Sequence, residues 1–488
     1  MLAIGGTVGN GIFIATGSVL SDAGPLGTLI SYTLTGAIVF FVIESLAEMS
    51  TYIPVTGSFN SFADRFVDPA FGFSMAYNYW YSWIITIAID LISVGLVVQY
   101  WANDINPIIW SAIALLIIVA INFFGPKILG ESGFWLSFIK IASIIIFIII
   151  GFLVATGILG GVQYGLSNFK YKDAPFVNGV PGTLSAFITA GFAFQGVEII
   201  GIASGESKNP SKDIPRAAHS VFWRINSYYF FVLLIICLVV PYDTATLIDG
   251  KTFSVAESPL VIVMEKAGIK FSNHVFNGII LTSILAAANS SMYLTTRTLF
   301  SLSVEKKFFK PFKKVTENGN PIYCLLVGAV IVTFTISISY FGDERVYEWL
   351  VAFSGTAGLI SWIGILFSHH RFRKAYIYQG FYLDDLPFKS KLFPFGNYFS
   401  FFCLTFIVLS QGYTTGIFRN FTAVGFIKAY FGVMLFLILY LSYKLYFKTK
   451  IVGLSEMDLL TDSYNQLGFV SERFEKTSFK EKLLSFIF

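Results

Sequence analysis

Long apolar stretches alternate along this chain with short polar segments rich in Lys and Arg, and two of the stretches are broken near their middle by glycines. An apolar run of about 18 or more residues is long enough to cross a hydrocarbon core of about 30 Å as a helix. Twelve spans are predicted, at roughly 2–20, 26–49, 72–100, 107–124, 134–158, 182–204, 221–241, 274–297, 321–341, 347–368, 397–415 and 424–446. The first break, in span 1, reads Gly5-Gly6-Thr7-Val8-Gly9-Asn10-Gly11-Ile12-Phe13. The second, in span 6, reads Thr189-Ala190-Gly191-Phe192-Ala193-Phe194-Gln195-Gly196-Val197-Glu198. A helix in lipid satisfies its backbone internally, so unwound backbone is tolerated only where it lines a cavity or is buried in protein. Glycine runs also serve as packing faces. Paired breaks in corresponding helices of two repeats point instead to the substrate site of a transporter.

The distribution of charge orients the spans. With the amino terminus in the cytoplasm, most of the 33 Lys and Arg residues fall on inside loops, including Lys306, Lys307, Lys310, Lys313 and Lys314 and the group Arg371, Arg373 and Lys374. Outside regions keep only Lys170, Lys172, Lys251, Lys266, Lys270, Arg345, Arg419 and Lys428. Both termini are therefore expected in the cytoplasm. Trp101, Trp110, Trp135 and Trp349 lie near span ends, as an aromatic belt would place them. The stretch 50–70, with Pro54, Gly57 and Pro69, reads as an interfacial inside segment. Residues 1–450 form the expected transmembrane domain and 451–488 a polar cytoplasmic tail, peripheral or disordered. Met1 stands directly inside a helix with no cleavable signal peptide, so an amino-terminal tail is expected to be missing from this sequence.

Composition supports one membrane domain over several soluble ones: 55% of residues are hydrophobic and 13% charged, against about 25% charged in a typical globular domain. The net charge of +4 is too small to suggest a nucleic-acid partner; the lipid bilayer is the expected partner. Cys237, Cys324 and Cys403 sit in apolar segments without metal-ligand or CxxC spacing and read as small buried hydrophobes. There is no mid-span histidine, Ser-His-Asp set, HExxH motif or phosphate loop. No cofactor or metal is expected, and an enzyme is disfavoured. The sequence carries no signal for an oligomeric state.

Ionisable groups inside a membrane cost about 2.5–3.5 kcal/mol each on insertion scales, so each suggests a function. Here they are Glu44, Glu48, Asp90, Lys140 and Glu198. Glu44 and Glu48, one turn apart near the inside end of span 2, also fit a salt bridge or a snorkelling cap. Asp90 stands in mid-span and completes a stripe with Asn78, Ser82 and Thr86, one residue every four. Ser82 and Thr86 either bond their own i−4 carbonyls or face a wet cavity, and the second reading gives Asp90 company. At the Gly9–Gly11 break, free N–H groups and a positive helix end suit a carboxylate. The carbonyls around Phe192, Ala193 and Gln195 suit an ammonium. An α-amino acid presents both groups on one carbon. Thr282, Ala286, Asn289 and Tyr293 share a face of span 8, and Ser354, Gly358 and Ser361 share one of span 10; each is either a pocket wall or tight packing.

Several long motifs carry a family resemblance: MLAIGGTVGNGIFIATG in span 1, YIPVTGSFNSFADRFVDPAFGF after span 2, NYWYSWIITIAIDL in span 3, AFQGVEIIGIASGESKNPSKDIPRA through span 6, AAANSSMYLTTRTLF in span 8 and HHRFRKAYIYQGFYLDDLPFKSKLFPFG after span 10. Through them the chain resembles the fungal amino acid permeases of the amino acid–polyamine–organocation superfamily, from Met1 to about residue 465. The resemblance implies an all-α polytopic membrane protein of 12 transmembrane helices, with a 5+5 inverted-repeat, leucine-transporter-like fold and broken helices 1 and 6. It also implies proton-driven amino acid uptake at the plasma membrane. Carried over to this chain, Ile4, Thr7, Gly9, Asn10 and Gly11 line the substrate site from span 1, with Thr7, Gly9 and Gly11 holding the carboxylate. Phe192, Ala193 and Gln195 line it from span 6, with Phe192 at the aromatic gate. Ser82, Asp90, Asn289 and Ser354 complete it.

Asp90, Lys140 and Glu198 are the residues expected in proton coupling and gating, Lys140 standing where related symporters bind sodium. VPYDTATL, VYEWLVAFSGTAG and the IDL of span 3 look most like the basic amino acid branch. A pocket carboxylate suits arginine or lysine, whose charged side chain otherwise loses water unpaired. Two departures stand out: Asn10 replaces the usual Thr or Ser of GTxGxG, and Asp90 stands where Glu is usual. A broad-range permease, and a non-transporting amino acid sensor of the same fold, are the alternatives.

Overall fold

The computed structural model describes residues 6–124, 126–207, 209–244, 258–316, 319–341, 345–417, 421–464 and 466. Ile4 and the expected tail beyond 466 lie outside them. The described residues form helices and no strand. In chain order these are α1 (Asn10–Phe13), α2 (Thr16–Tyr52), α3 (Ser58–Phe66), α4 (Pro69–Val98), α5 (Pro107–Phe123), α6 (Pro126–Ala155), α7 (Gly179–Phe194), α8 (Ile199–Ala203), α9 (Pro210–Val239), α10 (Pro259–Lys266), α11 (Ser272–Val304), α12 (Ile322–Phe341), α13 (Arg345–Tyr378), α14 (Phe395–Thr414) and α15 (Ala423–Phe447). Among the described residues, eight helices are long and apolar enough to cross a membrane, and two shorter apolar ones stand at Pro107–Phe123 and Ile322–Ile338.

Local chemistry sets several of the helix starts. Pro69, Pro107 and Pro259 open their helices, where a missing N–H costs nothing. The preceding Asp68, Asn106 and Ser258 each accept a bond from a first-turn N–H. Expected spans 1 and 2 do not separate through a loop. They meet at Gly24, whose φ of +75° precedes Pro25. A Cβ there would lie 2.6 Å from the Pro175 carbonyl, so glycine is required on both counts.

The interfacial stretch contains the short amphipathic helix α3, which buries Phe59, Phe62 and Phe66. Phe59 meets Tyr79 edge-on at 4.9 Å, and Phe66 meets Phe372 at 5.3 Å. Between 451 and 464 the tail is packed against the protein. Met457, Leu459 and Tyr464 are buried, the Val452 N–H donates to the Val67 carbonyl at 3.0 Å, and the Tyr464 N–H donates to the Tyr52 carbonyl at 2.7 Å. Three apolar anchors in a polar window supply the burial that holds it.

The long helices fall into two groups. Helix α2 packs along α7 and α9, while α4 packs along α11 and α13. The broken segment of span 1 and the end of α7 lie where these groups face each other.

Candidate substrate site

The two breaks come together. In span 1 the helical path holds at Gly6 and Thr7, lapses at Val8 and Gly9, resumes as α1 and lapses again at Ile14 and Ala15. In span 6 the helix runs through Phe192 and Ala193 to Phe194 and leaves its path at Gln195, ψ 138°, so the break starts later than expected. Gly196 follows at φ +106°, a conformation open to glycine but strained for other residues. Hydrogen alone fits at the contact between the breaks. A Cβ on Gly11 would sit 2.5 Å from Ala193 Cα, and one on Gly9 would sit 2.8 Å from the Ala287 methyl. Gly196 lies against Thr7.

Breaking a helix orphans its carbonyls, and the protein supplies a donor to each one from 7 to 13. The Tyr229 hydroxyl lies 3.0 Å from the Thr7 carbonyl, and the Lys140 ammonium donates to that of Val8 at 2.6 Å. Gly9 O accepts from Ile12 and Phe13 N–H, and Asn10 O from Ile14 and Ala15 N–H. Tyr32 serves Gly11 at 3.2 Å, Thr16 serves Ile12 at 2.9 Å, and Ser258 serves Phe13. No side chain caps α1 at Gly9. In span 6 both Glu198 carboxylate oxygens accept from the Gly196 N–H at 3.1 Å, and one also accepts from Trp362 at 3.3 Å. Glu198 therefore ties its own break to α13.

The polar stripe of span 3 faces protein at three of its four positions. Asn78 donates to the Ala357 carbonyl at 2.8 Å and to Ser361 at 3.0 Å. Gln195 donates to Ser82 and accepts from Ser354 at 3.1 Å, while Thr86 and Ser354 share a bond of 2.8 Å. Thr86 also bonds the Ser82 carbonyl at 2.9 Å, as the packing alternative supposes. Ser82, Gln195 and Ser354 thus form one polar knot joining α4, the second break and α13. Asp90 is buried like the other three, and its Oδ2, like the Oδ1 of Asn78, has no hydrogen-bond partner. The ammonium of Lys140, itself buried, is the charge that acts on it.

Asn10 spends its side chain on neighbouring helices. Its amide donates to Ser93 at 2.7 Å, and its oxygen accepts from Tyr347 at 3.0 Å. Phe192 packs beside it against Ile89, Tyr347, Leu350 and Val351. Asn289, expected in the site, accepts from Asn122 of α5 at 2.8 Å. The face of α11 that meets span 1 carries Ala287 and Ser290 instead. Both faces of that helix are small and polar, so spacing alone did not separate them. Tyr32, Tyr229, Tyr347 and Trp362 were not anticipated. Their signal was present in part, because a buried Tyr or Trp seeks a partner for its O–H or N–H.

Comparison with known proteins adds the family. A model of the amino acid permease family matches residues 1–455. The chain belongs to that family. The permease is 42% identical over 458 residues to the lysine-specific permease LysP of Escherichia coli, covering 94% of each chain. It is 40% identical over 460 residues to the histidine permease HisP of Lactococcus lactis, covering 94% of this chain and 96% of that one. With the lysine-specific permease of Saccharomyces cerevisiae it shares 35% identity over 496 residues, covering 99% of this chain and 80% of the yeast protein. The likeness expected with fungal permeases thus extends to bacterial ones.

A second buried cluster of the permease lies at the far end of α2. Glu48 takes a forked pair of bonds from Arg373, accepts from the Ser390 N–H at 2.7 Å and lies 3.1 Å from His369. For Glu48 the salt-bridge alternative is what the structure contains. Glu44 faces His219 at 3.3 Å.

Proposed function

We propose that this permease imports basic L-amino acids, lysine and arginine foremost, in symport with protons at the plasma membrane. The observation that carries the reading is Asp90, a buried carboxylate with an unpartnered oxygen on the helix beside two paired breaks. A buried charge is stable only when paired. A lysine or arginine side chain is a partner of the right sign, and the relatives named lysine-specific agree with it.

In this reading the α-carboxylate meets the uncapped N–H groups at Gly9–Gly11, and the α-ammonium meets the carbonyl end of α7 near Ala193 and Gln195. The cationic side chain reaches toward Asp90. Ser82 and Ser354 hold Gln195 in place, Phe192 closes over the cargo, and Ile4 continues the span 1 wall. Lys140 stands in for a metal cation by holding the Val8 carbonyl, and its exchange of charge with Asp90 links cargo to proton. Glu198 keeps the second break in shape. The frame is the 5+5 inverted repeat of 12 spans, with both termini cytoplasmic and the group around α2, α7 and α9 rocking against α4, α11 and α13.

The test is uptake of labelled lysine and arginine by cells lacking their own permeases, at about pH 5 and about pH 7.5, with surface display verified. Stronger uptake at the acid pH, competed by unlabelled basic but not neutral amino acids, supports the proposal. The histidine permease among the relatives favours a second reading with a wider range of cargo, and competition by histidine or leucine would select it. No uptake from displayed protein would overturn both.

A further inference from the structure

We infer that Tyr229 is a positioning residue of the substrate site, whose single hydroxyl holds the two helix breaks in register. The inference rests on the proposal that the breaks receive the α-carboxylate and α-ammonium of an amino acid. Tyr229 belongs to α9, outside both broken segments and outside every motif that marked the site in the sequence. Its hydroxyl lies 3.0 Å from the Thr7 carbonyl and 2.7 Å from that of Ala193. Thr7 ends the helical start of span 1, and Ala193 lies in the last turn of α7, where carbonyls have lost their i+4 N–H.

One proton thus serves two acceptors, one from each break. Without it, two carbonyl oxygens of like partial charge lose the hydroxyl they share. The ring is held for this task. It is buried, packs on Phe194 at 4.8 Å and meets Tyr32 edge-on at 6.3 Å. Tyr32 in turn donates to Gly11, whose Cα is pressed against Ala193. Gly196 lies against the Thr7 hydroxyl and backbone, so the two breaks meet a second time there. The two tyrosines and two glycines fix one distance, from the N–H groups near Gly11 to the carbonyls near Ala193.

That distance matches a feature common to every α-amino acid, the spacing of carboxylate and ammonium on one carbon. Tyr229 therefore governs affinity for the shared part of the cargo, while discrimination between side chains lies with Asp90 and its surroundings. Misplacing a reacting or binding group by about 1 Å is enough to cost orders of magnitude.

The test is Tyr229→Phe, which removes the hydroxyl and keeps the ring. The expected result is a KM for lysine and for arginine raised about tenfold each, the scale of one lost buried hydrogen bond. The maximal rate stays within about twofold, the ratio of the two KM values is unchanged, surface display matches the parent, and the melting temperature falls by a few degrees at most. A KM within about twofold of the parent overturns the inference, as does a shift in the lysine-to-arginine ratio. Hydrogen exchange on the purified protein tests it without any substrate: amides of 8–13 and 194–199 exchange faster in the variant and those of α4 do not. Unchanged exchange in both segments overturns it. Absence of uptake by the parent instead removes the proposed function and leaves the exchange result to decide the role of Tyr229.

Discussion

The two groups of long helices are joined at both ends, by different chemistry. At the end near Asn10 the ties are neutral. Asn10 bonds Ser93 and Tyr347, and Phe192 rests on Ile89, Leu350 and Val351. At the other end, beside the Arg371–Lys374 cluster, Glu48 of α2 is forked to Arg373 of α13 with His369 and the Ser390 N–H as further partners. The segment 451–464 then straps the same end. Its backbone meets Tyr52 of α2 and Val67, while Arg371 bonds the Val452 carbonyl and Gln379 those of Leu454 and Met457.

The difference matters because the two closures cost different amounts to open. A neutral hydrogen bond contributes about 1 kcal/mol, whereas charge-assisted bonds such as the Glu48–Arg373 fork are about twice as strong. On this comparison the Asn10 end is the weaker of the two closures.

The largest effect is predicted for Glu48→Ala, which leaves Arg373 buried without its carboxylate. Stability falls by about 3–5 kcal/mol, read as a lowered melting temperature in detergent. A melting temperature equal to the parent would remove the asymmetry between the two ends. Next come Asn10→Ala and Tyr347→Phe. Each removes neutral contacts worth about 1 kcal/mol, so bound lysine exchanges several-fold faster in a preloaded vesicle assay, with little change in melting temperature. If either variant destabilises as much as Glu48→Ala, the neutral end is stronger than argued. The smallest effect belongs to Gln379→Ala, which drops two bonds to the strap carbonyls at 3.0 and 2.8 Å. Limited proteolysis within 451–464 should quicken while lysine KM holds, and unchanged cleavage would mean Gln379 does not hold the strap.

Much of this was legible in the sequence. Membrane-length apolar runs and the glycines of both breaks are visible without a structure, because only backbone freed from a helix needs them. The start of the second break was less so. Phe192, Ala193 and Phe194 continue the helix, and the decisive residue is Gly196 with its positive φ. Four-residue spacing puts Asn78, Ser82, Thr86 and Asp90 in one stripe, but spacing does not say whether water or another helix lies opposite. Here α13 lies opposite three of the four. Asn289 shows the same limit, since α11 carries small polar residues on more than one face. The strap was hidden because Met457, Leu459 and Tyr464 are too few to register as an apolar segment.

The central claim is that Asp90 receives a cationic side chain while the breaks hold the backbone of the amino acid. The direct measurement is uptake of labelled lysine and of labelled norleucine, its uncharged counterpart, by the parent and by Asp90→Asn with equal surface display. The account predicts that the variant loses lysine uptake by at least about tenfold, loses its dependence on pH, and narrows or reverses the preference for lysine over norleucine. Full lysine uptake with an unchanged pH profile and unchanged preference would contradict it.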